Sequence, residues 1–109
     1  MATKANAFVV VTLLLAYINL VEPLRCYECT ASLGNNANCE TLDYLQPRVC
    51  SQNSVCARYV LQKPNVEILF RRCAPENVCD LVNREFENNP SVTVKECNIC
   101  SEDECNSSN

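Results

Sequence analysis

The chain has 109 residues, with ten cysteines, one methionine, no histidine and no tryptophan, and its formal charge of −4 comes from 9 Lys+Arg against 13 Asp+Glu. That length holds one small domain, and without histidine there is no Ser-His-Asp triad and no histidine metal ligand. The acidic balance speaks against a nucleic-acid partner, which selects a basic footprint.

Residues 1–23 read as a secretory signal peptide. Lys4 supplies the positive n-region, and Phe8–Leu20 is an apolar run interrupted by Thr12 and Asn19. The run is shorter than the roughly 20 residues that span a bilayer. No A-x-A-like pair marks the cleavage point, which is placed near Pro23/Leu24; an uncleaved anchor or a buried strand is the rival reading. All ten cysteines fall in residues 24–109. Secretion exposes them to an oxidising compartment, where an even count implies disulfides. A core this small needs such staples.

The cysteines stand at 26, 29, 39, 50, 56, 73, 79, 97, 100 and 105. Cys26-x2-Cys29 and Cys97-x2-Cys100 have zinc-knuckle spacing. However, residues 30–96 separate them, and a zinc site leaves six other cysteines unexplained. A redox Cys-x-x-Cys requires a βαβ context that the flanks lack. Ten cysteines allow too many connectivities for spacing to choose among them.

The opening Leu24-Arg25-Cys26-Tyr27-Glu28-Cys29 and the closing Cys100-x4-Cys105-Asn106 resemble the three-finger family of the lymphocyte antigen six and urokinase receptor proteins. The resemblance covers 24–109 and includes the order of all ten cysteines. It implies a small, disulfide-rich, all-β three-finger fold with five bridges: Cys26–Cys56, Cys29–Cys39, Cys50–Cys73, Cys79–Cys97 and Cys100–Cys105. The eighth and ninth cysteines, often adjacent in vertebrate members, are here separated by Asn98 and Ile99, as in the invertebrate branch.

In chain order, the first strand of finger one is expected over Leu24–Thr30, followed by a turn over Leu33–Asn38. Gly34 is the only glycine, so asparagine is expected at most other positions of positive φ. In finger two, Val55–Leu61 and Val66–Cys73 are rich in β-branched, aliphatic and aromatic residues and read as a hairpin. Pro64 presets φ for a type I or II turn and excludes a primed one, which predicts a four-residue loop, Lys63 to Val66. In that register Gln62 faces Glu67, Leu61 faces Ile68, Tyr59 faces Phe70 and Cys56 faces Cys73. Arg58, Val60 and Gln62 share the other face with Arg71, Leu69 and Glu67. In finger three, Asp80–Glu87 is irregular or a short helical turn, Asn88-Asn89-Pro90 breaks it, and Ser91–Glu96 is the return strand with Val92 and Val94 inward.

Catalytic signals are weak, and none is assigned. Paired cysteines leave no thiol nucleophile, the serines lack a base, and Glu102-Asp103-Glu104 lacks the calcium-loop spacing and its glycine. No cofactor or metal is expected. The face of Tyr59, Leu61, Val66, Ile68 and Phe70 is either core or an exposed contact patch. Candidate partner-binding residues are therefore Tyr59, Phe70, Arg71 and Arg72, as aromatic and arginine anchors, with Lys63, Asn65, Asn88 and Asn89 at the finger tips. Arg71 and Arg72 read equally as solvated strand charges. Asn106 either begins a glycosylation sequon, Asn106-Ser107-Ser108, or plays the structural role that the resemblance implies. After Asn106 the sequence shows no small-residue site, spacer and hydrophobic tail for a lipid anchor. The expectation is a secreted monomer without a stable membrane anchor. By resemblance, it binds an extracellular protein, a receptor or ion channel that it modulates. The alternatives are a structural or epithelial-junction role and a toxin-like, seminal or salivary effector.

Overall fold

The computed structural model describes residues 23–34 and 37–108. The expected signal peptide up to residue 22, the Asn35-Asn36 part of the first turn, and Asn109 lie outside the described residues. The elements are β1 (Arg25–Cys26), β2 (Cys29–Ser32), α1 (Ala37–Thr41), β3 (Arg48–Val49), β4 (Ser54–Lys63), β5 (Val66–Pro75), α2 (Val78–Phe86), β6 (Thr93–Cys100) and a closing 3-10 turn, Cys105–Ser107. β1 and β3 pair in a two-stranded sheet, while the other strands form a four-stranded antiparallel sheet in the order β2-β5-β4-β6. The protein is thus a small, mainly β structure stapled by five disulfides, with α1 and α2 added to the expected strands.

The β4–β5 hairpin organises the sheet. Its register pairs Gln62 with Glu67, Leu61 with Ile68, Tyr59 with Phe70 and Cys56 with Cys73. Lys63 and Val66 also pair, so the expected four-residue loop is shortened to Pro64 and Asn65, neither with positive φ. The register and the unprimed, proline-initiated turn are as expected; the ladder runs one pair further. Because alternate residues point to opposite faces, the hairpin has two apolar sides. One presents Ala57, Tyr59, Leu61 and Ala74, which pack against Val78 and Val82 of α2. The other presents Val60 and Leu69, which pack with Ala31 of β2 and Cys39 of α1. Helix α2 reaches the sheet through Val78, Val82 and Phe86, spaced four apart and therefore on one stripe.

A bulge in β6 adapts the edge strand to that helix. Val60 faces Glu96 but Leu61 faces Val94, so Lys95 is the extra residue. Without it, Val94 and Cys97 would point to opposite faces. With it, both join Val92 on the side of Tyr59 and α2, where Cys97 bonds Cys79.

Several local expectations are corrected. The single strand over Leu24–Thr30 is two strands, because Tyr27 and Glu28 leave the ladder and the Tyr27 backbone is claimed by Asn106. The end of the Leu33–Asn38 turn is already helical, and α1 carries Cys39. Of the two readings of Asp80–Glu87 the helical one holds, but the helix is longer than a turn and begins at Val78, drawn onto the sheet by its apolar stripe. Among the described residues, which leave out Asn35 and Asn36, positive φ occurs at Gly34, Leu42, Tyr44, Asn53 and Glu104, of which only Asn53 is the expected asparagine.

The disulfides are Cys26–Cys56, Cys29–Cys39, Cys50–Cys73, Cys79–Cys97 and Cys100–Cys105, with Cα atoms 5.3–6.1 Å apart. These are the pairs that the resemblance implies. Cys26, Cys50 and Cys56 are buried at one end of the sheet and packed against Leu24, Cys73, Cys100 and Cys105. Three bridges therefore form one sulfur-rich hub. Three chain reversals meet at the opposite end: Leu33 N–H donates to Glu67 O at 2.8 Å, Pro64-Asn65 caps the hairpin, and Thr93, just after the Asn88–Ser91 turn, pairs with Gln62.

Candidate binding surface

The structure separates the candidate residues into two groups. Tyr59 is buried, and its ring stacks on Phe70 with centroids 4.7 Å apart and planes 13° from parallel. Phe70 is half-buried against the same cluster. The aromatic pair thus belongs to the core under α2, and its area is spent inside the protein. Arg72 is exposed; its Nη1 lies 3.5 Å from the Tyr59 hydroxyl and its Nε donates to Cys73 O.

Arg71 requires a correction: it is only 1% exposed and is no surface anchor. Its strand position aims it at the face covered by α1 and the C-terminal turn. Nε donates to Cys39 O at 3.0 Å and Nη2 to Glu40 O at 3.3 Å, while Nη1 donates to Asn106 O at 2.6 Å and Ser108 O at 2.8 Å. A guanidinium is suited to this place because its planar fork presents five donors in fixed directions. Burial, with the Arg58 charge next, lowers its pKa from the ordinary arginine value.

Asn106 is also buried. Its Oδ1 accepts from Tyr27 N–H at 3.0 Å, and its Nδ2 donates to Tyr27 O at 2.9 Å and Ala57 O at 3.0 Å. The amide side chain substitutes for a ladder partner where β1 and β2 separate. In the folded protein its nitrogen faces backbone, not solvent, which matches the structural one of its two expected roles. Next to it the Tyr27 hydroxyl donates to Glu104 Oε1 at 3.1 Å. That hydrogen bond chiefly, then desolvation and the carboxylate charge, raises the phenol's pKa above its ordinary value.

The remaining candidates lie toward one end of the sheet. Lys63 and Asn65 at the hairpin turn, and Asn88 and Asn89 after α2, are all exposed at the sheet end away from the hub. Between the end of α2 and the start of β6 runs an open groove of about 410 Å³, lined by Phe86, Glu87, Asn89, Pro90 and Val92. Asn89 shapes its rim, because its Oδ1 accepts from Ser91 N–H at 3.0 Å. The two ion pairs of the sheet, Arg58–Glu96 and Lys95–Glu67, each have a partly exposed member and add little stability.

Every cysteine sulfur is in a disulfide, so none is a thiolate for nucleophilic attack or metal binding. The sulfur triplets Cys26/Cys50/Cys73 and Cys56/Cys100/Cys105 each lie within 4.8 Å because neighbouring bridges pack together. Among the described residues no helix is long and apolar enough to cross a membrane. Five disulfides fit an extracellular, oxidising compartment.

Sequence reasoning passed over Tyr44. Its side chain is 95% exposed and its backbone sits at φ 64°. The only signal available was an aromatic residue in a stretch without strand or helix periodicity.

No family model, curated protein or solved structure matches the chain.

Proposed function

We propose that the protein is a secreted, monomeric, non-enzymatic member of the lymphocyte antigen six/urokinase receptor class with a three-finger fold. It binds an extracellular receptor or ion channel and modulates it. The observation that supports this reading best is the contrast between the two ends of the sheet. One end is a hub of three packed disulfides, and the other carries three chain reversals with exposed Lys63, Asn65, Asn88 and Asn89. A hub locked by covalent bonds loses little entropy when its loops dock, so binding energy goes into contacts. Paired sulfurs leave the scaffold without a cysteine nucleophile, which is consistent with this reading.

The test uses the purified chain, tetramerised and labelled, against an array of receptor and channel ectodomains displayed on cells. Saturable binding is expected to at least one of them. Lys63→Ala/Asn65→Ala and Asn88→Ala/Asn89→Ala are expected to weaken it about tenfold or more, the loss of a moderate interface contact, with unchanged Tm. Binding to none of the ectodomains overturns the reading. Binding that is insensitive to both pairs moves the contact away from this end.

A further inference from the structure

We infer that Tyr44 is a preformed anchor for a protein partner, and this rests on the binding reading above. The segment between α1 and β3 is costly to hold. Leu42 and Tyr44 both adopt left-handed backbone, at φ 65° and 64°, a region uphill for bulky side chains. Backbone hydrogen bonds and flanking disulfides support the loop. Leu42 N–H donates to Asn38 O at 2.7 Å, and Leu45 N–H to Leu42 O at 3.4 Å. Its ends are fixed by Cys39, bonded to Cys29, and Cys50, bonded to Cys73. The two leucines turn inward and are half-buried, whereas Asp43, Tyr44 and Gln46 turn outward.

The ring gains nothing inside the protein in return, since it is 95% exposed. A tyrosine projected into water from a backbone tied at both ends offers a large amphipathic contact with few torsions left to fix, the usual property of an interface hot spot. The local charge specifies the partner. Between α1 and β3, residues 42–47 carry one carboxylate, Asp43, directly beside Tyr44 and no cation, and the next cation is Arg48 in β3. Glu40 accepts from Gly34 N–H, whereas Asp43 is exposed and forms no ion pair among the described residues. The matching surface is an apolar pocket of a protein ectodomain with a basic group on its rim, where lysine or arginine meets Asp43.

The test repeats the ectodomain array with loop variants. Tyr44→Ala is expected to weaken binding by about 30-fold or more, the loss typical of a hot spot. Tyr44→Gly removes the ring and suits the left-handed backbone, so it should lose binding equally while Tm stays level or rises. Asp43→Asn should weaken binding and flatten its salt dependence. If the wild-type chain binds and Tyr44→Ala binds within twofold of it, the anchor is refuted while the binding reading stands. If the wild-type chain binds no ectodomain, both fall. A dimer in sedimentation that Tyr44→Ala abolishes would make a second copy the occupant and overturn the ectodomain assignment.

Discussion

Arg71→Ala should cost about 3–5 kcal/mol of folding stability, because it removes several charge-assisted hydrogen bonds from one buried side chain. The side chain spans two segments far apart in sequence: Cys39 and Glu40 of α1 on one side, Asn106 and Ser108 of the closing turn on the other. Alanine leaves a cavity between α1 and the closing turn and takes a donor from the carbonyl of buried Asn106. Chemical denaturation gives the free energy directly. For a domain of this size, thermal unfolding should fall by on the order of 15 °C. Arg71→Lys should recover little, because a single ammonium lacks the fork that serves both segments. A cost below about 1 kcal/mol for Arg71→Ala would mean that the C-terminal turn is held by something else. Surface candidates such as Lys63 and Asn88 should fall within about 0.5 kcal/mol, the range of ordinary exposed substitutions.

The second large effect concerns the hub. Cys26→Ala/Cys56→Ala removes the bridge with the longest sequence separation, 30 residues, between two side chains at 0% exposure. Chain entropy alone places its contribution at about 3–4 kcal/mol, and small secreted domains often fail to fold after such a loss. The hub also loses two packed sulfurs. Cys29→Ala/Cys39→Ala spans only 10 residues and should cost less. Denaturation midpoints of the two double variants, with secreted yield as a second readout, test the order. A more stable Cys26/Cys56 variant would show that the hub is not the main constraint.

How legible these features were in the sequence depended on how local their causes are. The β4–β5 register follows from strand alternation and one proline, all within about 20 residues, and the structure keeps it pair for pair. The same alternation assigned Arg71 to the face of Val60 and Leu69. It did not reveal burial, because the cover comes from residues 31–37 positions away in sequence. Alternation reports a side; depth depends on what folds over that side. Tyr59 and Phe70 had two readings, core or patch, and α2 decides for core because Val78 and Val82 pack on the same cluster.

The disulfide pairing was readable only through resemblance. Cys56 and Cys73 sit opposite each other on one hairpin, yet each bonds elsewhere. Helix α2 was drawn too late because its stripe begins at Val78, before the cysteine taken as the boundary of the segment. The strained turn at Leu42 and Tyr44 was not legible at all. Asparagine and glycine are the residues that announce positive φ, and this loop has neither.

Five disulfides, with Cys26–Cys56 at the centre of the hub, fix the shape on which the proposed docking role depends. Peptide mapping of the secreted protein under non-reducing conditions tests this most directly, with electron-transfer fragmentation to separate Cys26 from Cys29. Cys50 Sγ lies 3.2 Å from Cys26 Sγ, so a Cys26–Cys50 bridge is the nearest wrong alternative. The expected map contains Cys26–Cys56, Cys29–Cys39, Cys50–Cys73, Cys79–Cys97 and Cys100–Cys105 with no free thiol. A Cys26–Cys50 link, or any unpaired cysteine in the secreted material, would contradict the hub and the recognition role built on it.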